Sequence, residues 1–282
     1  RSALSIEKDP AAHRTLTLRA FYRCFDPGEV PSAYFDRLRG AITTDELFAR
    51  YPREATAARH EAWLAELGST STSVCAVRER VATALGNTRD WLLIGGPPCQ
   101  AYSLAGRSRN QGIKNYRFDT DRKTTLYLEY LQLIADFWPA VFVMENVKGL
   151  LSAKRNGSSM FEQILSDLAD PAESIAREGR TRREGQELHH YDLYPIVAPD
   201  DRPDGASATN PADFIVRADR FGVPQARHRI IIIGIRRGFS SRRPVPLIPH
   251  DQPISVRDVI SDLPKLRSGL SRDDTAEGWA KT

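Results

Sequence analysis

The stretch that most constrains this chain is the apolar run Trp91-Leu92-Leu93-Ile94 followed by Gly95-Gly96-Pro97-Pro98-Cys99-Gln100. The apolar run predicts a buried strand, and the six residues after it turn the backbone sharply. Two glycines permit unusual φ values and a close approach of the backbone to a ligand. Two prolines fix φ and remove two N–H donors, so the path to Cys99 is stiff. A thiol on a rigid loop at the carboxyl end of a strand stands where open α/β sheets place their ligands. An isolated cysteine is most often an inert, buried side chain. The flanks of Cys99 argue for a reactive thiol instead, and the rest of the sequence narrows what it could attack.

Other apolar runs also end in polar signatures. Val141-Phe142-Val143-Met144 predicts a buried strand that runs into Glu145-Asn146-Val147, and Gln225-Ala226-Arg227-His228-Arg229 leads into Ile230-Ile231-Ile232-Ile233, a run expected to be fully buried. Tyr191 to Val197 reads as a further strand, and Phe214 to Ala218 as extended chain. At the amino end, Ala3 to Ile6 reads as a short strand ending at Glu7, with Asp9-Pro10 as helix cap and first helical residue. A carboxylate at such a strand end is where dinucleotide-type folds grip ribose hydroxyls, although an exposed loop acid is the plainer reading of Glu7 alone.

Between the strands the pattern is helical. Pro31 to Gly86 predicts a helical layer, with a capping box at Thr43-Thr44-Asp45-Glu46 and helices over Glu54 to Leu67 and Ser71 to Leu85. Trp63, Leu64 and Leu67 are spaced for a core face, and Cys75 is expected in the core. Helices are also predicted from Thr124 to Trp138 and from Ser159 to Leu168, whereas residues 170–188 read as an exposed loop. Strands alternating with helices define an α/β chain.

The bulk properties exclude several classes. No apolar run approaches the roughly 18 residues of a membrane span. The three cysteines lack CxxC spacing and suit a reducing compartment. His189 and His190 are adjacent, and no His/Cys/Asp cluster has the spacing of metal ligands. A formal net charge of +4 permits a polyanionic partner without requiring one. The segment Ala101 to Lys123 carries Arg107, Arg109, Lys114, Arg117, Arg122 and Lys123 interleaved with Tyr102, Tyr116 and Phe118. That mixture suits a loop closing over a phosphate backbone.

Pro98-Cys99-Gln100, Glu145-Asn146-Val147 and Gln225-x-Arg227-x-Arg229, in this order, resemble the motifs of the DNA (cytosine-5) methyltransferases. Thr125-Leu126 and Ser5-Ile6-Glu7-Lys8-Asp9 are similar to that family's cofactor-side motifs, and the likeness covers roughly residues 1–25 and 90–265. The resemblance implies a Rossmann-like α/β methyltransferase fold with a doubly wound, mostly parallel sheet and a helical insertion near residues 31–86. It divides the chain into a catalytic part over residues 1–240 and the start of a target-recognition region over 241–282. The family's opening phenylalanine-x-glycine-x-glycine motif and its closing motif are not found, so the expectation is a chain cut at both ends whose activity and cofactor binding alone are weak or absent. The acid expected to contact the cofactor's adenine is blurred by the helical stretch, and Asp45 and Asp90 are poor candidates.

The same resemblance implies roles for single residues. Cys99 is the nucleophile, Glu145 the acid at the base, Arg229 the clamp on its carbonyl, and Arg227 a brace for the loop or a phosphate. Glu7 is expected at the cofactor ribose, with Pro98 and Leu126 lining the same pocket. Gln100, Ser103, Arg107, Asn146 and Gln225 are placed on the DNA side, Asn146 chiefly as an organiser of the catalytic loop. The methyl donor is S-adenosylmethionine, with no metal and no membrane. The substrate is double-stranded DNA, from which the cytosine is flipped out. A cytoplasmic protein of a restriction-modification setting, monomeric when complete, is expected. Two other readings stay open: an RNA cytosine-5 methyltransferase and a non-catalytic DNA-binding module. A thymidylate-synthase-like enzyme would share the proline-cysteine pair but not the other two motifs.

Overall fold

A computed structural model describes residues 2–97, 126–155, 158–198, 210–263, 269 and 274–280. Strand β1 (Ser5–Glu7) leads into helix α1 (Pro10–Tyr22). The Asp9 carboxylate accepts from the N–H groups of Ala11 and Ala12 at 2.9 and 2.8 Å, and Pro10 occupies the first turn, where no N–H is needed. Helices α2 (Ser32–Leu38), α3 (Thr44–Arg50) and α4 (Pro52–Glu61) follow, and Thr43 and Glu46 form the expected capping box on α3. Phe21, Tyr34, Leu47 and Phe48 bury together as the core of this helical layer.

The helix expected to run to Leu67 stops at Glu61. Ala62–Leu64 form strand β2, which pairs parallel with β1 so that Ser5 faces Ala62 and Glu7 faces Leu64. The open edge of β1 offers a backbone ladder, and Trp63 gains a core contact there that outweighs the helix propensity of an alanine-rich stretch. Leu64, expected inside, is 47% exposed. Helix α5 (Val74–Leu85) ends at Gly86 as read. Cys75 is exposed rather than in the core, because Val77 and Val81 hold the buried positions of this helix.

Beyond it come β3 (Leu92–Gly95), α6 (Leu126–Phe137) and β4 (Val141–Val147). A short ribbon of β5 (Lys154–Arg155) and β6 (Ser158–Ser159) precedes α7 (Met160–Ala169) and α8 (Pro171–Arg177). Helix α8 lies inside the expected exposed loop. Asp170 caps it, Pro171 starts it, and Ile175 is buried in the main core. Strands β7 (Tyr191–Pro195), β8 (Ile215–Arg217) and β9 (His228–Arg236) complete the sheet, and two short helices, α9 (Val256–Ile260) and α10 (Ala276–Ala280), follow.

The larger sheet has the order β3-β4-β9-β7, with β8 also paired to β9. The α/β class is as expected, and parallel pairing is found at β3–β4 and β1–β2. The strands after residue 190 enter antiparallel, through β9. Leu4 just before β1, Trp63 of β2 and Leu93 of β3 pack on the same cluster of Val77, Val81, Leu133 and Phe137. One helical layer therefore supports both sheets.

Alternation along the strands separates two faces. Leu93, Phe142, Met144, Ile230 and Ile232 pack against Leu131 and Ile134 of α6 and Phe161 and Ile164 of α7. The isoleucine run is buried on this face only, since Ile231 and Ile233 are half-buried. Likewise β3 is an edge strand among the described residues, and Leu92 and Ile94 are 51% and 70% exposed on its other face. A three-element ion pair ties this layer together. Buried Asp136 of α6 accepts from Arg78 Nε and Nη2 at 2.7 and 2.9 Å and from the Arg183 N–H at 2.6 Å, while the Thr181 carbonyl accepts from Arg78 Nη2 and Gln132. Removing one partner leaves a buried charge underpaired. Arg78→Met is therefore expected to lower stability by roughly 3 kcal/mol in urea denaturation, with an unchanged m-value. Arg39→Met, which breaks the exposed Arg39–Asp36 pair, should cost less than about 1 kcal/mol.

Candidate active site

The end of β3 is squeezed from both sides. A Cβ built on Gly95 would lie 2.5 Å from Cε2 of Tyr130, and one on Gly96 would lie 3.0 Å from Oε2 of Glu145. Neither glycine has a positive φ. The pair is there for space, not for the unusual backbone angles that the sequence suggested. One residue on, the Pro97 carbonyl accepts from Asn146 Nδ2 at 3.3 Å, and Asn146 Oδ1 accepts from the Val147 N–H at 2.9 Å. Asn146 is buried with both ends of its amide occupied, so it orders the backbone leading toward Cys99.

Glu145 and Arg229 are brought together by strand register. In the β4–β9 ladder Glu145 faces Ile231 and Val147 faces Arg229, which makes Glu145 and Arg229 diagonal neighbours on the face opposite the core. Arg229 Nε lies 2.7 Å from Glu145 Oε1, with the two side chains 21% and 46% exposed. The N–H is not directed at the oxygen, so the contact is an ion pair and leaves that buried Nε without a hydrogen-bond acceptor. Arg229 Nη1 is held by the His228 carbonyl at 2.8 Å. Partial burial raises the Glu145 pKa, and the positive charge of Arg227 opposes that rise. Arg227 and Gln225 are exposed on the turn before β9, where the Arg227 N–H donates to the Gln225 carbonyl at 2.7 Å. A carboxyl whose pKa is raised, next to a guanidinium, can offer a proton donor and a cationic donor group to one planar ligand.

A second edge lies at the carboxyl ends of β1 and β2. The Glu7 carboxylate accepts from the Asp9 N–H at 2.8 Å, and its backbone carbonyl accepts from the Ala65 N–H at 3.0 Å. Adjacent to it, Lys8 Nζ pairs with Glu66 Oε1 at 3.5 Å. Trp63, Ala65, Glu66, Ser71, Thr72 and Lys8 are among the residues lining a cavity of about 390 Å³. Sequence reasoning missed Glu66, because it treated Glu54 to Leu67 as one helix. The signal available was Trp63-Leu64 followed by Gly68 and a serine–threonine run, which closes a short strand better than a helix. Leu126 stands half-buried at the first residue of α6. Pro98, Cys99, Gln100, Ser103, Arg107 and Thr125 lie outside the described residues, as does the basic segment 101–123. No group of three His, Cys, Asp or Glu suited to a metal ion occurs among the described residues, and no described helix is long and apolar enough to cross a membrane.

The acid–guanidinium pair stands at the carboxyl end of β4, and Glu7 stands at the end of β1 with Glu66 two residues past β2, the edge where open α/β sheets commonly hold ligands. The chain belongs to the C-5 cytosine-specific DNA methylase family, whose model matches residues 77–171 and 213–278. It is 28% identical to Type II methyltransferase M.Bpa9945I of Bacillus paralicheniformis, covering 98% of this chain and 60% of the relative. It is 31% identical to Type II methyltransferase M.AquIA of Picosynechococcus sp., over 55% of this chain and 47% of that protein. The DNA (cytosine-5-)-methyltransferase M.ApeKI of Aeropyrum pernix is 30% identical over 59% of this chain and 31% of its own length. The chain thus spans three fifths or less of these relatives.

The electrostatics predict a titration. Because burial raises the Glu145 pKa, its protonated form persists above the ordinary glutamate range near 4.3 and is lost as pH rises through the shifted value. Carbon-13 NMR of the carboxyl should report that midpoint, and Arg227→Gln should move it further upward by removing the opposing charge. A downward move would contradict the assignment of causes.

Proposed function

We propose that this chain is the catalytic part of an S-adenosylmethionine-dependent enzyme that methylates carbon 5 of cytosine in double-stranded DNA. The observation that carries this reading is the Glu145–Arg229 pair at the edge where the Pro97 carbonyl is held by Asn146, two residues before Cys99. Carbon 5 of cytosine is too weak a nucleophile unaided. The Cys99 thiolate forms a bond to carbon 6, and the carbon 5–carbon 6 π electrons move into the ring, which makes carbon 5 enamine-like. Glu145 delivers its proton to N3, and Arg229 donates to the O2 carbonyl as charge develops there. S-adenosylmethionine, when bound, supplies an electrophilic methyl group. Loss of the carbon-5 proton to a solvent base then restores the carbon 5–carbon 6 double bond and expels the Cys99 thiolate, while N3 returns its proton to Glu145.

The chain's second edge fits the methyl donor. A cavity of about 390 Å³ is within the size range of small-ligand sites, and it is lined by Trp63, Glu66, polar Ser71 and Thr72, and Lys8, the residue after Glu7. Glu7 would hold the ribose hydroxyls, Glu66 is the candidate for the adenine side, and Leu126 and Pro98 would complete the wall. The reacting base must leave the duplex, at a cost of a few kcal/mol that arginine contacts to phosphate offset. Arg227 and Gln225, exposed on the turn before β9, suit such contacts, as do Gln100, Ser103 and Arg107 by residue type. Residues 1–240 would form the catalytic unit and 241–282 the beginning of target recognition. The sheet's last strand ends at Arg236, and Val245 and Ile248 beyond it are almost fully exposed. By this reading the enzyme acts on DNA in the cytoplasm, as a monomer when complete and within a restriction-modification system.

In the intact enzyme Cys99→Ser should abolish methyl transfer to duplex DNA and the covalent adduct with 5-fluorocytosine duplexes, while salt-sensitive DNA binding stays within a few-fold. Retained turnover would refute the nucleophile, and faster methylation of transfer RNA than of duplex DNA would favour an RNA enzyme. Glu66→Ala should raise the KM for S-adenosylmethionine by roughly tenfold, the loss of about one charge-assisted hydrogen bond, without changing DNA affinity.

A further inference from the structure

We propose that Tyr130 is a positioning residue for Cys99: its ring is the floor on which the backbone leading to the nucleophile rests, and Gly95 is the space that keeps the backbone on that floor. This rests on the reading of Cys99 as nucleophile. Tyr130 lies on α6, is 6% exposed, and donates its hydroxyl to the Val143 carbonyl at 3.0 Å. Its ring meets that of Phe142 edge-on, with centroids 6.2 Å apart and planes at 88°. A ring pinned at its hydroxyl and along its edge cannot yield easily.

Consecutive residues of the β3 exit each meet a different partner. Gly95 lies on the Tyr130 ring, Gly96 faces the Glu145 carboxyl, and the Pro97 carbonyl is bonded to Asn146. A methyl group at position 95 would stand 2.5 Å from Tyr130 Cε2, closer than real contacts allow. The ring is fixed, so the backbone would have to lift off α6. The Gly96 side of the strand is already against Glu145, and the displacement would pass down the stiff prolines to Cys99. Misplacing a reacting atom by about 1 Å can cost on the order of a hundredfold in rate. None of the sequence motifs identifies Tyr130, because its role depends on which strand residue it lies beneath.

The test uses a mixed-sequence DNA duplex containing 2-pyrimidinone, a cytosine analogue without the exocyclic amine, whose carbon 6 accepts a thiolate without methyl transfer. Adduct formation and non-covalent DNA affinity are measured separately, and thermal melting checks folding. Gly95→Ala should slow adduct formation by at least about tenfold with DNA affinity changed less than about twofold. Gly95→Ala combined with Tyr130→Leu should recover at least about fivefold of the loss, because a smaller, flexible side chain lets the added methyl settle. Tyr130→Phe, which keeps the ring, should react within about threefold of the parent rate. A parent rate in Gly95→Ala, or a double variant as slow as the product of the two single effects, would overturn the proposal. If Gly95→Ala does not fold, Tyr130→Leu alone decides: slowed adduct with unchanged DNA affinity supports the role, and a parent rate overturns it. An unmodified protein that forms no Cys99-dependent adduct fails the functional reading itself, a result distinct from any variant's.

Discussion

The pairing of β4 with β9 is the interaction on which the rest of this molecule depends. From Val141 opposite Ile235 to Val147 opposite Arg229 the ladder is unbroken. Because side chains alternate, it sets two things at once. Phe142, Met144, Ile230 and Ile232 turn inward to the helices, and Glu145 and Arg229 turn to the other face. A slip of one residue would exchange the faces, burying a carboxylate beneath α6 and exposing the phenylalanine. Core and site are therefore specified by the same register, and the large apolar area gained inside holds the charged pair in place outside.

The electrostatic character of the site follows from its position on that ladder. Glu145 is partly covered, which favours its neutral form, yet it stands against one arginine and feels another. Complete burial would have demanded tight pairing and frozen the acid as a structural ion. Full exposure would have left an ordinary glutamate with no such upward shift. The half-buried edge of a sheet gives an intermediate environment, in which Arg229 Nε is buried against the Glu145 carboxyl. The backbone approaching Cys99 is constrained just as closely, by Tyr130 below, Glu145 above and Asn146 alongside.

Much of this was legible in the linear chain. Asp9-Pro10, the Thr43–Glu46 capping box and Gly86 act through local backbone chemistry, and each does in the structure what its residue type suggests. The apolar runs gave the strands, and the order of polar signatures at their ends pointed to the family that the chain belongs to. Reading failed where a neighbour distant in sequence decided the outcome. Ala62–Leu64 became a strand because β1 lay open beside it, and Cys75 reached the surface because α5 turned its valines inward. Asp170 and Pro171 signalled a helix start at α8, but the charged residues around them hid the face that Pro171, Ser174 and Ile175 bury.

The sequence by itself determined which residue types stand at strand ends: a thiol after stiff prolines, an acid before Asn146, arginines before an isoleucine run. Those follow from covalent geometry and from period-two and period-three-point-six patterning, which are local. Only the tertiary structure decided that Glu145 and Arg229 touch, that Gly95 is small because Tyr130 lies beneath it, and that Glu66, just past β2, pairs with Lys8 next to Glu7. Such pairings join residues tens of positions apart, and what chooses among them is the packing of a shared core, whose free energy no short window of sequence contains.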